Sequence, residues 1–124
     1  MDKQGFKTIL VVDDDKFVLE IIKDFLCNSY QVFTASMGYE ALRIIHDHSI
    51  DLLTVDFMMP EMTGFDLLRE IRQFNETLPY IVISGYPPSE LMKHELVRNA
   101  AGFLPKPFPF QELRILVDKV IKNE

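Results

Sequence analysis

Thr8-Ile9-Leu10-Val11-Val12 (TILVV) runs without a break into Asp13-Asp14-Asp15, and this stretch decides the fold. A continuous, mostly β-branched apolar run reads as a strand buried on both faces, as the strands of parallel sheets are. Working outward, Lys16 to Cys27 places Val18, Ile21, Ile22 and Phe25 at helical spacing. Val32–Ala35 is a second short strand, and Glu40–His46 carries Ala41, Leu42, Ile44 and Ile45 in a second helical pattern. Leu52–Val55 reads as a strand, Phe65–Phe74 as a helix turning Leu68 and Ile71 inward, and Tyr80–Ser84 (YIVIS) as a fourth strand. Glu90–Asn99 is predicted helical, Gly102–Leu104 extended, and Phe110–Lys122 helical.

Strict alternation of five strands and five helices predicts one parallel sheet with helices on both faces. The expected fold is α/β, a flavodoxin-like (βα)5 three-layer sandwich with strand order 2-1-3-4-5. The 124 residues fit a single domain over 1–124, and no internal repeat or linker-like segment divides them. An apolar share of 48% with 26% charged residues excludes a disordered or fibrous chain. The formal charge of −6 argues against a domain that itself grips nucleic acid by its phosphates. No apolar run reaches the roughly 20 residues of a membrane span, and the start lacks a signal-peptide profile. Cys27 is the only cysteine, so no internal disulfide can form, and a reducing, cytoplasmic setting is expected.

Ligands of doubly wound sheets lie beyond the carboxyl ends of the strands. There the sequence puts Asp13, Asp14 and Asp15 after the first strand, Asp56 after the third, Ser84 at the end of the fourth, and Lys106-Pro107 after the fifth. Carboxylates within about 5 Å of one another repel by several kcal/mol at an effective dielectric near 20. They stay together only if some are protonated or a cation neutralises them. An all-oxygen cluster of this kind suits Mg2+ or Mn2+. A metal beside a carboxylate also prepares a phosphoryl acceptor.

The chain resembles the receiver domains of two-component response regulators (CheY-like) over nearly its whole length. The matching pieces are ILVVDD at 9–14, DLLTVDFMMPEMTGFDLL at 51–68, IVISG at 81–85 and GFLPKPF at 102–108. The resemblance implies that Asp56 is the phosphoacceptor and that Asp13 and Asp14 position Mg2+ (or Mn2+) together with Asp56 and the backbone carbonyl of Met58. It implies that Ser84 bonds a phosphoryl oxygen, that Lys106 pairs with the carboxylate and then the phosphate, and that the Lys106–Pro107 peptide is cis. Pro60 and Gly64 match the loop after the acceptor. The implied donor is a histidine kinase or a histidine phosphotransfer domain docking near Val18 and Pro107–Pro109. The implied output face is the fourth helix, fifth strand and fifth helix, with a homodimer possible on phosphorylation. Such a chain catalyses only its own phosphorylation and dephosphorylation. The alternatives are a phosphorylation-incompetent pseudo-receiver, a haloacid-dehalogenase-type phosphatase, for which no acidic pair follows Lys106, and a flavin module, whose phosphate three aspartates would repel.

Some positions depart from the usual pattern. Phe103 stands where many receivers have a switching tyrosine, so any switch there works by packing alone. Tyr86-Pro87-Pro88 is expected to stiffen its loop, delay the fourth helix and leave it short or irregular. Met58 and Tyr86 flank the expected path of the hydrolytic water and are read as hydrolysis-tuning residues. The plainer expectations are Asp15 as a helix cap, Met59 and Met62 as packing, Cys27 as buried, and His94 as a solvated helix residue. His46 and His48, two apart, do not share a helical face and are not read as metal ligands.

Overall fold

The computed structural model describes residues 5–59 and 62–122. The strands are β1 (Thr8–Val12), β2 (Gln31–Ala35), β3 (Leu52–Asp56), β4 (Tyr80–Ser84) and β5 (Gly102–Pro105). All are parallel, in the order β2-β1-β3-β4-β5. The helices are α1 (Lys16–Leu26), α2 (Gly38–Asp47), α3 (Gly64–Arg72), the two short turns α4 (Pro88–Leu91) and α5 (Glu95–Arg98), and α6 (Phe110–Lys122).

Every residue of β1, β3 and β4 is buried, and their alternate side chains divide between two cores. Leu10, Val12, Leu53, Val55 and Val82 join Ala41 and Ile45 of α2 and Leu67, Leu68 and Ile71 of α3. Ile9, Val11, Leu52, Ile81 and Ile83 join Leu19 and Ile22 of α1 and Leu113 and Val117 of α6. The unbroken apolar runs seen in sequence are therefore the two faces of one sheet read in alternation.

The helix starts are fixed by local chemistry. Asp15 Oδ1 accepts from Phe17 N and Val18 N at 3.0 and 3.3 Å and caps α1. Thr63 and Asp66 form a reciprocal capping box that begins α3. A β-carbon on Gly64 would lie 2.9 Å from the Phe57 α-carbon, so the turn from β3 into α3 requires glycine there. Met59 is buried and Met62 packs across Gly38 at the start of α2, in keeping with their reading as packing residues. Cys27 is only partly buried. At the opposite end of the sheet, the Tyr30 hydroxyl donates to Asp118, and Arg114 donates to Ser29 Oγ and to the Phe25 carbonyl, strapping α6 to the last turn of α1 and the chain that follows it. Burial and the Asp118 contact push the Tyr30 phenol up to about 12.

The expected fourth helix differs most. It starts at Pro88, before Glu90, so the double proline does not delay it. A proline at the first helical position gives up an N–H that has no partner there anyway. The helix is short, as anticipated, but it breaks into two. Lys93 N and His94 N bond back three residues to Glu90 and Leu91, and His94 is extended at φ −93°, ψ 132°. His94 is exposed, as expected, but it is a junction residue between the two turns and not a residue within a helix, and its ring lies 4.4 Å from that of Phe65 in α3.

Thr54 is completely buried in β3, in register with Val11 and Ile81, and its hydroxyl has no hydrogen-bond partner. Thr54→Val keeps the shape and removes the orphaned polar atom, so we expect it to raise unfolding free energy by about 1 kcal/mol in urea denaturation. An unchanged or lower value would mean that the hydroxyl is satisfied in solution.

Candidate functional site

The ends of β1, β3, β4 and the loop after β5 bring five sequence-predicted residues to one edge. Asp13 and Asp56 are each 2% exposed and Ser84 is fully buried, whereas Asp14 faces solvent. One carboxylate oxygen from each of Asp13, Asp14 and Asp56 lies within 4.8 Å of the others. Lys106 Nζ donates to Asp13 Oδ2 at 3.1 Å and to Asp56 Oδ2 at 2.9 Å. The Lys106–Pro107 peptide is cis, as the motif implies.

Backbone donors hold the carboxylates in place. Asp15 N donates to Asp13 Oδ1 and Met58 N to Asp56 Oδ1, both at 2.9 Å. Tyr86 N donates to Ser84 Oγ at 3.0 Å, and Lys106 N to the Ser84 carbonyl at 2.8 Å, so β4 and β5 stay joined beside the hydroxyl.

Burial raises the Asp13 pKa, and the neighbouring Asp56 adds to the rise against the pull of the Asp15 N–H and Lys106. Burial opposes the Lys106 ammonium, but its bond to Asp56 and the charges of Asp13 and Asp56 outweigh this and raise its pKa. One ammonium thus faces three carboxylates. The residues fit a hard divalent cation on the chemistry of this donor set alone: convergent oxygens carrying more negative charge than Lys106 balances.

Met58 and Tyr86 are about half exposed at the rim, and the Met58 sulfur leans to within 4.0 Å of a β-carbon built on Gly85. Phe103 is half buried and packs against the α2–α3 core. Pro60 lies outside the described residues. His46 stacks on Phe74 at 4.7 Å and His48 meets Phe33 at 4.4 Å, so the two are engaged with different rings.

Val18 and Pro107–Phe108, grouped as one surface from the sequence, line a cavity of about 470 Å3 beside Lys106, and Asp15 and Phe110, which sequence reasoning did not place there, line it with them. Asp15 and Phe110 are far apart in the chain, and only the fold brings both to the lining of one cavity. Among the described residues, no helix is long and apolar enough to cross a membrane.

Residues 9–118 match the family model described as response regulator receiver domain. The chain belongs to that family. As a receiver domain it is 32% identical over 126 residues to the sensor kinase CckA of Brucella abortus, covering 99% of this chain and 13% of that protein. It is 37% identical over 106 residues to the response regulator MprA of a Mycobacterium species, covering 85% of this chain and 46% of that protein. The chain thus spans less than half the length of these curated relatives. The crystal structure of the response regulator TrrA from Thermotoga maritima in complex with Mg(2+)-BeF superposes with a TM-score of 0.81 at 32% identity, covering 92% of this receiver and 98% of that chain.

Because folding raises the Asp13 pKa, this group's contribution to stability is present at low pH and lost as pH rises through the raised value. Asp13→Asn removes that loss. With a chelator present, we expect the variant to have the higher urea midpoint at neutral pH, an advantage that shrinks as pH falls through the carboxylate range. A lower midpoint at neutral pH would contradict this balance.

Proposed function

We propose that Asp56 accepts a phosphoryl group from a phosphohistidine and that the resulting acyl phosphate switches the face formed by α4, α5, β5 and α6. The reading rests above all on the setting of Asp56: a buried carboxylate 2.9 Å from Lys106 Nζ and grouped with Asp13 and Asp14. A carboxylate oxygen of Asp56 attacks phosphorus as the bond to the donor nitrogen breaks. Lys106 exchanges its contact with the carboxylate for one with a phosphoryl oxygen, and the Ser84 hydroxyl donates to another. A Mg2+ or Mn2+ held by Asp13, Asp14, Asp56 and the Met58 carbonyl supplies the charge neutralisation that lets an anionic donor approach.

Residues 1–124 act as one receiver unit in the cytoplasm, served by a histidine kinase or a histidine phosphotransfer domain and touching neither nucleic acid nor membrane. It catalyses only its own phosphorylation and dephosphorylation. Val18 and Pro107–Pro109 belong to the donor's docking surface. Exposed Met92, just after α4, and Ile115 of α6 belong to the output elements, where phosphorylation favours a homodimer. Phe103, lacking a hydroxyl, takes part in switching by packing.

Incubation with Mg2+ and acetyl phosphate should add the mass of one phosphoryl group to the wild type and none to Asp56→Ala. Beryllofluoride in place of the donor should elicit the same change in oligomeric state on gel filtration. A folded wild type that neither gains mass nor responds to beryllofluoride would identify a pseudo-receiver instead.

Met58 and Tyr86 screen the acyl phosphate from water. Met58 offers no strong hydrogen bond to position an attacking water, and both side chains occupy its path. The isolated phosphoprotein should therefore decay with a half-life of minutes or more. Decay within a few seconds in the absence of a phosphatase would exclude this role.

A further inference from the structure

Met58 begins beside the acceptor, because its own N–H donates to Asp56 Oδ1 at 2.9 Å. Its side chain then crosses toward the end of β4. A β-carbon built on Gly85 would lie 4.0 Å from the Met58 sulfur and, among the described residues, would meet nothing else beyond its neighbours in the chain. The sulfur therefore borders open space next to Ser84-Gly85, on the side where the Ser84 hydroxyl is read as meeting a phosphoryl oxygen. Exposure sets Met58 apart from the methionines nearest to it in the chain. It is 47% exposed against 4% for Met59, and Met62 is packed on the α2–α3 core. Met37 and Met92 are about as open to solvent, but they belong to the start of α2 and the chain just after α4.

We propose that Met58 is an oxidation site, at which a hydroperoxide converts the shield over the acyl phosphate into a group that positions water and shortens its lifetime. The inference rests on the reading of Asp56 as acceptor and of Met58 as its shield. It adds a chemical input to that site. A thioether is a weak hydrogen-bond acceptor, whereas a sulfoxide is polar and presents an oxygen. In the oxidation the sulfur gives up an electron pair to one peroxide oxygen, the O–O bond breaks, and with hydrogen peroxide the other oxygen leaves as water. The new S–O oxygen has room over Gly85 and can hold a water by one of its protons. Hydrolysis then forms a P–O bond from that water as the bond to Asp56 breaks, with the electron pair returning to the carboxylate. One water proton stays on the phosphate released and the other passes to solvent. A thiol-dependent sulfoxide reductase reverses the modification, returning the electron pair and removing the oxygen as water.

The test compares the half-life of the phosphoprotein with and without prior treatment by dilute hydrogen peroxide, on the full chain, after labelling with Mg2+ and acetyl phosphate. Peptide mass mapping reports which methionines have gained oxygen. We expect sulfoxide at position 58 and a half-life about tenfold shorter, the worth of one hydrogen bond made in the transition state. Reductase treatment before labelling should restore the original value. Met58→Leu cannot form a sulfoxide at this position but keeps Cys27, Met37 and Met92, so its two half-lives should agree. A wild-type half-life unchanged by sulfoxide at position 58 overturns the inference alone, as does an equal shortening in Met58→Leu. Peroxide that oxidises Met37 and Met92 while sparing Met58 also overturns it, and so does an oxidised protein that takes up no phosphoryl group. Decay of the untreated protein within seconds would instead overturn the shielding role of Met58, and an untreated protein that takes no label would overturn the acceptor reading, each carrying this inference with it.

Discussion

The arrangement turns on the Lys106 ammonium lying between the carboxylates of Asp13 and Asp56. Those three groups come from β1, β3 and the loop after β5, so a single cation spans most of the width of the sheet. Breaking a buried ion pair from one side typically costs several kcal/mol, because the remaining charge is left in a poorly solvated place. Lys106 is about one-third exposed, which moderates that cost without removing it. The contact balances part of the negative charge on this edge and leaves the rest to attract a cation.

That residual charge gives the edge its chemistry. Asp13 is held in the sheet by its N–H to Ala35 and by the Asp15 N–H on its side chain, so it cannot swing away from Asp56. Asp56 is fixed in the same manner by Met58 N. The acceptor loop is tied down further along by Gly64 against Phe57 and by the Thr63–Asp66 capping box. Carboxylates oriented in advance by backbone donors need little rearrangement when a phosphoryl group arrives.

Much of this was legible in the chain. Apolar runs at TILVV and YIVIS could only be strands covered on both faces, and their spacing left little choice of topology. Residues at strand ends were equally legible, because a parallel sheet delivers the ends of β1, β3, β4 and β5 to one edge. The break between α4 and α5 was not legible. Nothing local in Met92-Lys93-His94 stops a helix, and the contact of His94 with Phe65 in α3 is tertiary. The place of Asp15 and Phe110 in the cavity beside Lys106 was hidden for the same reason. Thr54 read as one more β-former in a strand, and only burial on every side reveals its hydroxyl as an orphan.

The central claim is that, of the three clustered carboxylates, Asp56 is the one that carries the phosphoryl group. Borohydride reduces an acyl phosphate to an alcohol, which converts the modified aspartate into homoserine, and peptide mass mapping then locates it. After treatment with Mg2+ and phosphodonor, the account predicts homoserine at position 56 alone. Homoserine at position 13, 14 or 15, or a stable phosphoprotein with none, would contradict it.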